Sequence, residues 1–278
     1  MNAKSNIESS GPIHIDVGSV LDSRLGSNKV PGWLVRRIEK LIRQHELNAL
    51  LEYAYPRRGA DFCAAVIEHL DIKVKVVGTD NFPADGRALF VSNHPLGGLD
   101  GMALIDLITR QYGREPLFVV NDLLMAVEPL TDVFLPVNKH GAQSREAICE
   151  IDKAMASDRP VIVFPAGLCS RRLGGEVTDL EWKKMFAQKA VEFKRDVVPM
   201  FFGAVNSPSF YRWANIRKSL GIKLNIEMAL LPGEIFKSVG KTFTVSIGKP
   251  VSWRTLPSDA RAAAMLIRHR TYQLAGVK

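Results

Sequence analysis

Two apolar patterns alternate along most of the chain. Short, nearly unbroken apolar runs predict strands buried on both faces. These are RALFVSN (87–93), PLFVVN (116–121), VFLPVNKHG (133–141), PVIVFPAG (160–167) and VVPMFFGAV (197–205). IKVKVVG (72–78) alternates and predicts a further strand, as do IKLNIEMALL (222–231) and TFTVSIGKPV (242–251). Between them, apolar residues recur at the helical period. DGMALIDLITRQYG (100–113) is one such segment. AQSREAICEIDKAMAS (142–157) puts Ile148, Ile151 and Met155 on one face. LEWKKMFAQKAVEFKR (180–195) aligns Trp182, Phe186, Ala190 and Phe193. The C-terminal segment 256–274 has a helix opening at Pro257, Ser258 and Asp259. Strands alternating with helices predict an α/β fold with a mixed, largely parallel sheet flanked by helices.

The first third of the chain reads differently. Residues 1–32 are polar and predict a loose arm. An N-terminal helical segment follows over 33–71. Its first helix, 33–51, carries Leu34, Ile38, Leu41 and Ile42 on one face and Arg36, Arg37, Lys40 and Arg43 on the others. Its second covers Gly59 to Leu70. Residues 72–278 form the main domain. No repeat, low-complexity tract or break in composition divides it.

Composition narrows the setting. Of 278 residues, 46% are hydrophobic and 24% charged, so the chain is long and apolar enough to bury a core unaided. Lys and Arg exceed Asp and Glu by 37 to 29, a net +8 that favours anionic partners without choosing among them. The three cysteines, Cys63, Cys149 and Cys169, are widely spaced and form no CxxC pair. This argues against a disulfide framework or a zinc site and for a reducing cytosol. The N-terminus lacks signal-peptide form. No apolar run approaches the roughly 18 residues of a membrane span, so any membrane contact is expected to be peripheral.

Candidate chemistry gathers where the strand 87–93 gives way to the helix at 100. The loop NHPLGGLD holds His94 and Asp100 around Gly97 and Gly98. Ligands of α/β folds meet the carboxyl ends of strands. A carboxylate at a helix start is favoured by free N–H groups and the helix dipole. If it accepts a hydrogen bond from one imidazole nitrogen, the other is left to take a proton from a hydroxyl. The plainer alternative is a loop hydrogen bond or a helix cap.

This loop resembles the first signature block of the lysophospholipid (glycerolipid) acyltransferase superfamily, in which Asn-His is followed by four residues and an Asp. Here Asn93-His94 is followed by five residues and Asp100. Three further stretches resemble later blocks, in order. FLPVNKHG brings Lys139, with His140 beside it. VFPAGLCSRR keeps Phe164, Pro165 and Gly167, has Ala166 in place of a glutamate, and adds Ser170 and Arg171. VVPMFFGAV brings Pro199. The resemblance spans residues 72 to 250 and is strongest to a bacterial hemolysin-like branch that includes ornithine- and glycine-lipid O-acyltransferases.

The resemblance implies transfer of an acyl group from a thioester of acyl carrier protein or CoA to a hydroxyl of a lyso-lipid acceptor, with no metal or resident cofactor. The lost glutamate at Ala166 points away from a glycerol phosphate acceptor and toward an N-(3-hydroxyacyl) amino acid. A 1-acylglycerol-3-phosphate acyltransferase and a non-catalytic lipid-binding protein on the same scaffold are the alternatives. By the same resemblance His94 and Asp100 are catalytic. Lys139 and Arg171 hold an acidic headgroup, Asn93 and Ser170 line the substrate site, and the backbone around Gly167 faces the oxyanion. The location implied is the cytoplasmic face of the inner membrane, held peripherally. In some relatives an N-terminal helical pair makes that contact.

Other signals carry less. GEIFKSVGKTF (233–243) fails as a phosphate loop, because Ile235 stands where the first glycine is required and a strand follows. Cys169 has no matched base, and no G-x-S-x-G elbow occurs. SFYRWANIRKSLGIK (209–223) mixes aromatics with cations but follows no nucleic-acid module, so it fits a half-buried helix, the acyl tunnel or a bilayer border. No nucleic-acid partner is expected.

Overall fold

The computed structural model describes residues 11–25, 30–137, 145–221 and 226–276. In chain order the helices α1 (Val17–Leu25), α2 (Gly32–Ile42), α3 (Gln44–Ala54) and α4 (Gly59–His69) precede the sheet. Then come β1 (Lys73–Val77), β2 (Leu89–Ser92), α5 (Leu99–Tyr112), β3 (Leu117–Asn121), β4 (Phe134–Val137), α6 (Arg145–Ala156) and β5 (Val161–Val163). A short hairpin, β6 (Arg171–Leu173) and β7 (Glu176–Thr178), leads to α7 (Met185–Glu192) and β8 (Val197–Gly203). The chain closes with α8 (Pro208–Ser219), α9 (Leu231–Phe236), β9 (Thr242–Ile247) and α10 (Ala260–Gln273).

Among the described residues, seven strands form one sheet in the order β1-β9-β8-β2-β5-β3-β4. All neighbours are parallel except β8 and β9, so β1 and β9 run opposite to the other five. Strand alternation explains the two cores. Phe90 of β2, Ile162 of β5 and Val198 of β8 face α4 and α5. Leu89, Val91, Val161, Val163 and Val197 face α6, α7 and α10 on the other side. Because both faces are covered, the strands need apolar residues at every position, which is the unbroken pattern seen in the sequence.

Five expectations change. The helix expected over 180–195 is confined to Met185–Glu192, so Trp182 lies before it. The loose arm contains α1. The helix over 33–51 is two helices, because Arg43 adopts a left-handed conformation (φ 56°, ψ 49°) and its side chain pairs with Glu46. The strand expected at 222–231 is not formed in its described part, where Ile226–Leu230 is a 3-10 turn running into α9. Its Glu227 turns inward as a counter-ion, and Pro232 suits the first turn of a helix. The hairpin at 171–178 was not expected. Its strands are three residues each, and Gly174 and Gly175 both take positive φ (59° and 93°), as a tight two-residue turn requires.

Candidate active site

The site forms where β2 and β5 end. Asn93, just past β2, is buried and replaces the missing backbone pairing. Its Nδ2 donates to the Phe202 carbonyl (3.0 Å), and its Oδ1 accepts from the Phe202 N–H (2.7 Å). The side chain thus extends the β2–β8 ladder while the main chain turns away. Both amide ends are committed to that task, whereas a contact with substrate was expected.

His94 comes next. Its Nδ1 lies 3.0 Å from Asp100 Oδ2. Asp100, fully buried in the first turn of α5, also accepts the N–H groups of Leu96 (2.8 Å) and Gly101 (2.9 Å). The carboxylate is therefore an acceptor at both oxygens. Nδ1 therefore donates to the carboxylate, and Nε2 forms no hydrogen bond among the described residues. The fifth residue of the tether is absorbed at Gly97, whose φ is +91°. A Cβ there would lie 2.7 Å from Leu231 Cδ1 and 3.0 Å from Cys169 Sγ, so a larger residue would displace Leu231 as well as strain the backbone. Gly98 has open space around it and φ of −97°, so the fold needs only one of the two glycines. The Asn206 amide holds the loop from the other side by donating to the Pro95 carbonyl (2.9 Å).

The imidazole is braced by Phe164, which follows β5. Their ring centroids are 4.2 Å apart at 24°. Phe164 in turn meets Phe118 of β3 edge-on at 5.2 Å. Gly167 has φ of +65°, and its N–H donates to the Phe164 carbonyl (3.0 Å), closing the turn. Its own amide is occupied there, so it shapes the turn instead of offering that donor to an oxyanion.

The cationic shelf differs from the expectation. Arg171 is buried, with Nη2 2.9 Å from Glu227 Oε1, and the other oxygen of Glu227 meets Arg217 Nε at 2.8 Å. Arg171 also donates to the Cys169 carbonyl (2.6 Å) and lies over the Phe210 ring. Its charge is balanced inside the protein and ties the third block to the 226–230 turn. Lys139 and His140 lie outside the described residues. Cys169 is fully buried, and burial pushes its thiol up to about 12, which removes the thiolate a nucleophile needs.

The sequence reading missed two residues. Asp179 is buried behind the site and accepts from the His94 N–H (3.2 Å), the Ser170 hydroxyl (2.6 Å) and Trp182 Nε1 (2.9 Å). Burial pushes its carboxyl above the ordinary value. Ser170 donates its own N–H to the His94 carbonyl (2.7 Å), so Ser170 and Asp179 together clamp the histidine backbone. Tyr272 and Arg268 of α10 anchor the Asp179 backbone. The other residue is Lys183. It is exposed and forms no ion pair among the described residues, and its Nζ lies 3.5 Å from where a Cβ on Gly167 would sit. Asp179 stands alone after the hairpin and Lys183 in a polar run, so neither carried a sequence signal.

The sequence model of the acyltransferase family matches residues 22–277. The chain belongs to the acyltransferase family. Two curated acyltransferases are similar over nearly their whole length. The lyso-glycine lipid O-acyltransferase of Phocaeicola vulgatus is 44% identical over 94% of this chain and 95% of its own. That of Bacteroides thetaiotaomicron is 43% identical over 94% of this chain and 97% of its own. Among solved structures, the 1-acyl-sn-glycerophosphate (LPA) acyltransferase PlsC from Thermotoga maritima is similar at a TM-score of 0.45. It is 16% identical, with 87% of this chain and 91% of that one covered. Among the described residues of this acyltransferase, no helix is long and apolar enough to cross a membrane.

Proposed function

We propose that this acyltransferase moves a fatty acyl group from a thioester to the hydroxyl of a lyso-lipid, with His94 as general base. The observation that carries the reading is the 3.0 Å contact of His94 Nδ1 with buried Asp100, which leaves Nε2 for the acceptor. In the reaction the acceptor oxygen attacks the thioester carbon as its proton passes to Nε2. The tetrahedral intermediate then collapses, the carbon–sulfur bond breaks, and the departing thiolate takes the proton back from the imidazolium. The products are an ester and a free thiol. Asp100 keeps the ring in the required tautomer and steadies its cation. Stacking on Phe164 fixes the plane of the ring.

The acceptor proposed is an N-(3-hydroxyacyl) amino acid of the glycine-lipid type. The names of the two curated relatives favour it. So does Lys183, an exposed ammonium beside Gly167, suited to a carboxylate by charge-assisted hydrogen bonding. Acyl carrier protein and CoA thioesters are both anionic and both suit the net +8 of the chain. The location proposed is peripheral, on the cytoplasmic face of the inner membrane; the exposed Trp33, Leu34 and Leu41 of α2 and the cations of that helix support contact with lipid.

The test is to offer purified protein a lyso-glycine lipid and lysophosphatidic acid, each with acyl carrier protein and CoA thioesters. The expected result is thiol release and O-acylation of the glycine lipid, abolished by His94→Ala in protein that stays folded. Preferred acylation of lysophosphatidic acid would reject the acceptor. Near-normal turnover by His94→Ala would reject the base.

A further inference from the structure

Helix α8 buries Phe210, Tyr211 and Ala214 and turns a second apolar set outward. Trp213 is 48% exposed, Ile216 40% and Leu220, which caps the helix, 67%. Their spacing of three and four residues stacks them in one stripe. The helix contains Arg212, Arg217 and Lys218 and no acidic residue. Arg217 is paired with Glu227, which leaves Arg212 and Lys218 as the exposed cations of the helix. Singly exposed apolar side chains are ordinary, but a stripe of three led by a tryptophan on a purely basic helix is not.

The position of α8 matters as much as its composition. Asn206, two residues before it, holds the Pro95 carbonyl of the His94 loop. Arg171 and Arg172, leaving the third block, lie over Phe210 and Tyr211 at 5.6 and 5.4 Å. These contacts pin the buried face of α8 to the third block and, through Asn206, to the His94 loop. The helix packs on the 226–230 turn, which α2 also touches, and α2 shows the same combination of exposed Trp33, Leu34 and Leu41 with Arg36, Arg37 and Lys40.

The structure assigns α8 as a docking surface for an anionic bilayer. Trp213, Ile216 and Leu220 enter the interfacial layer, and Arg212 and Lys218 meet its headgroups. The docked helix brings the bilayer beside the segments that hold the His94 loop. The assignment rests on the lyso-lipid reading only in placing the acceptor in that layer. The charge of the helix selects the occupant, because a helix with exposed Arg212 and Lys218 and no acidic residue repels a second copy of itself and is drawn to anionic lipid.

The experiment uses the full chain, sedimented with vesicles of phosphatidylcholine alone or mixed with phosphatidylglycerol. Wild-type protein is expected to bind the mixed vesicles, less so as salt rises. The triple variant Trp213→Ser, Ile216→Ser, Leu220→Ser is expected to lose about tenfold or more of that partition with its melting temperature unchanged. Its turnover of a short, water-soluble acceptor should match wild type, while turnover of a vesicle-embedded acceptor falls. Arg212→Glu with Lys218→Glu should weaken binding to mixed vesicles only. Partition retained by the triple variant would overturn the assignment. Loss of turnover on the soluble acceptor would instead give the stripe to the active site, and a wild-type dimer that the variant dissolves would give it to a second copy. Vesicle binding is read without catalysis, so a protein that docks but transfers nothing rejects the proposed reaction and not this surface.

Discussion

The two ends of the central sheet each hold a buried polar cluster, and the clusters are built on opposite principles. At the amino end of the strands, Arg195 is fully buried just before β8. Its guanidinium donates to the carbonyls of Met155, Ala88, Arg159, Ala154 and Ser157. Ala154 and Met155 lie in the last turn of α6, where the helix dipole is negative. Burial lowers the guanidinium to about 10, still cationic at neutral pH. All of its donors point at protein acceptors, so it is finished chemically. At the carboxyl end, His94 binds Asp100 through Nδ1 and leaves Nε2 open, with its backbone clamped by Asp179 and Ser170. A saturated buried charge holds a fold together. A half-saturated group whose every other degree of freedom is fixed is prepared for a reactant.

That contrast can be broken by experiment. The largest effect expected is on rate at the carboxyl end. His94→Ala should lower kcat by about 10²–10⁴ with little change in melting temperature. Arg195→Met should do the reverse. Stranding buried carbonyls should cost about 3 kcal/mol, or roughly 6–12 °C in melting temperature, while kcat per folded molecule is unchanged. A variant at either end that moved both quantities would erase the distinction.

Smaller effects sharpen it. Lys183→Ala should raise the acceptor KM about tenfold, leaving the donor KM and kcat within a factor of about two, as loss of one charge-assisted contact implies. Arg171→Ala, by contrast, leaves Glu227 short of a buried partner and should lower stability rather than acceptor affinity. Equal effects of Lys183→Ala on both substrates would remove it from headgroup binding. Least dramatic, alkylation in native protein near pH 8 should reach Cys149, which is exposed, and spare Cys169, whose thiol at about 12 stays protonated there. Because burial raises that thiol, its reactivity should return only on unfolding or at strongly alkaline pH.

Reading the chain in one dimension recovered what local pattern controls. The strands of the inner sheet were legible because covering both faces demands an apolar residue at every position, as at Leu89, Phe90 and Val91. The start of α10 was legible because Asp259 caps it, accepting from the N–H groups of Arg261 and Ala262. Misreadings came where a distant partner overrules the local pattern. IKLNIEMALL alternates like a strand, yet Glu227 turns in to meet Arg171, 56 positions away. The hairpin after Ser170 is too short for periodicity, and only its paired glycines announced it. Three residues expected at the substrate, Asn93, Ser170 and Arg171, hydrogen-bond instead to Phe202, Asp179 and Glu227.

Local order along the chain thus indicated the α/β architecture and the family and singled out His94 and Asp100 as candidates, because apolar periodicity and a short tether are properties of neighbouring residues. Folding in three dimensions decided that Gly97 takes up the additional residue, that Asp179 grips the histidine from 85 positions away, and that Arg171 is neutralised while Lys183 stays free of ion pairs among the described residues. Those outcomes depend on burial and on which charges meet across the fold. Such contacts join residues that are far apart in sequence, so no pattern of neighbours encodes them.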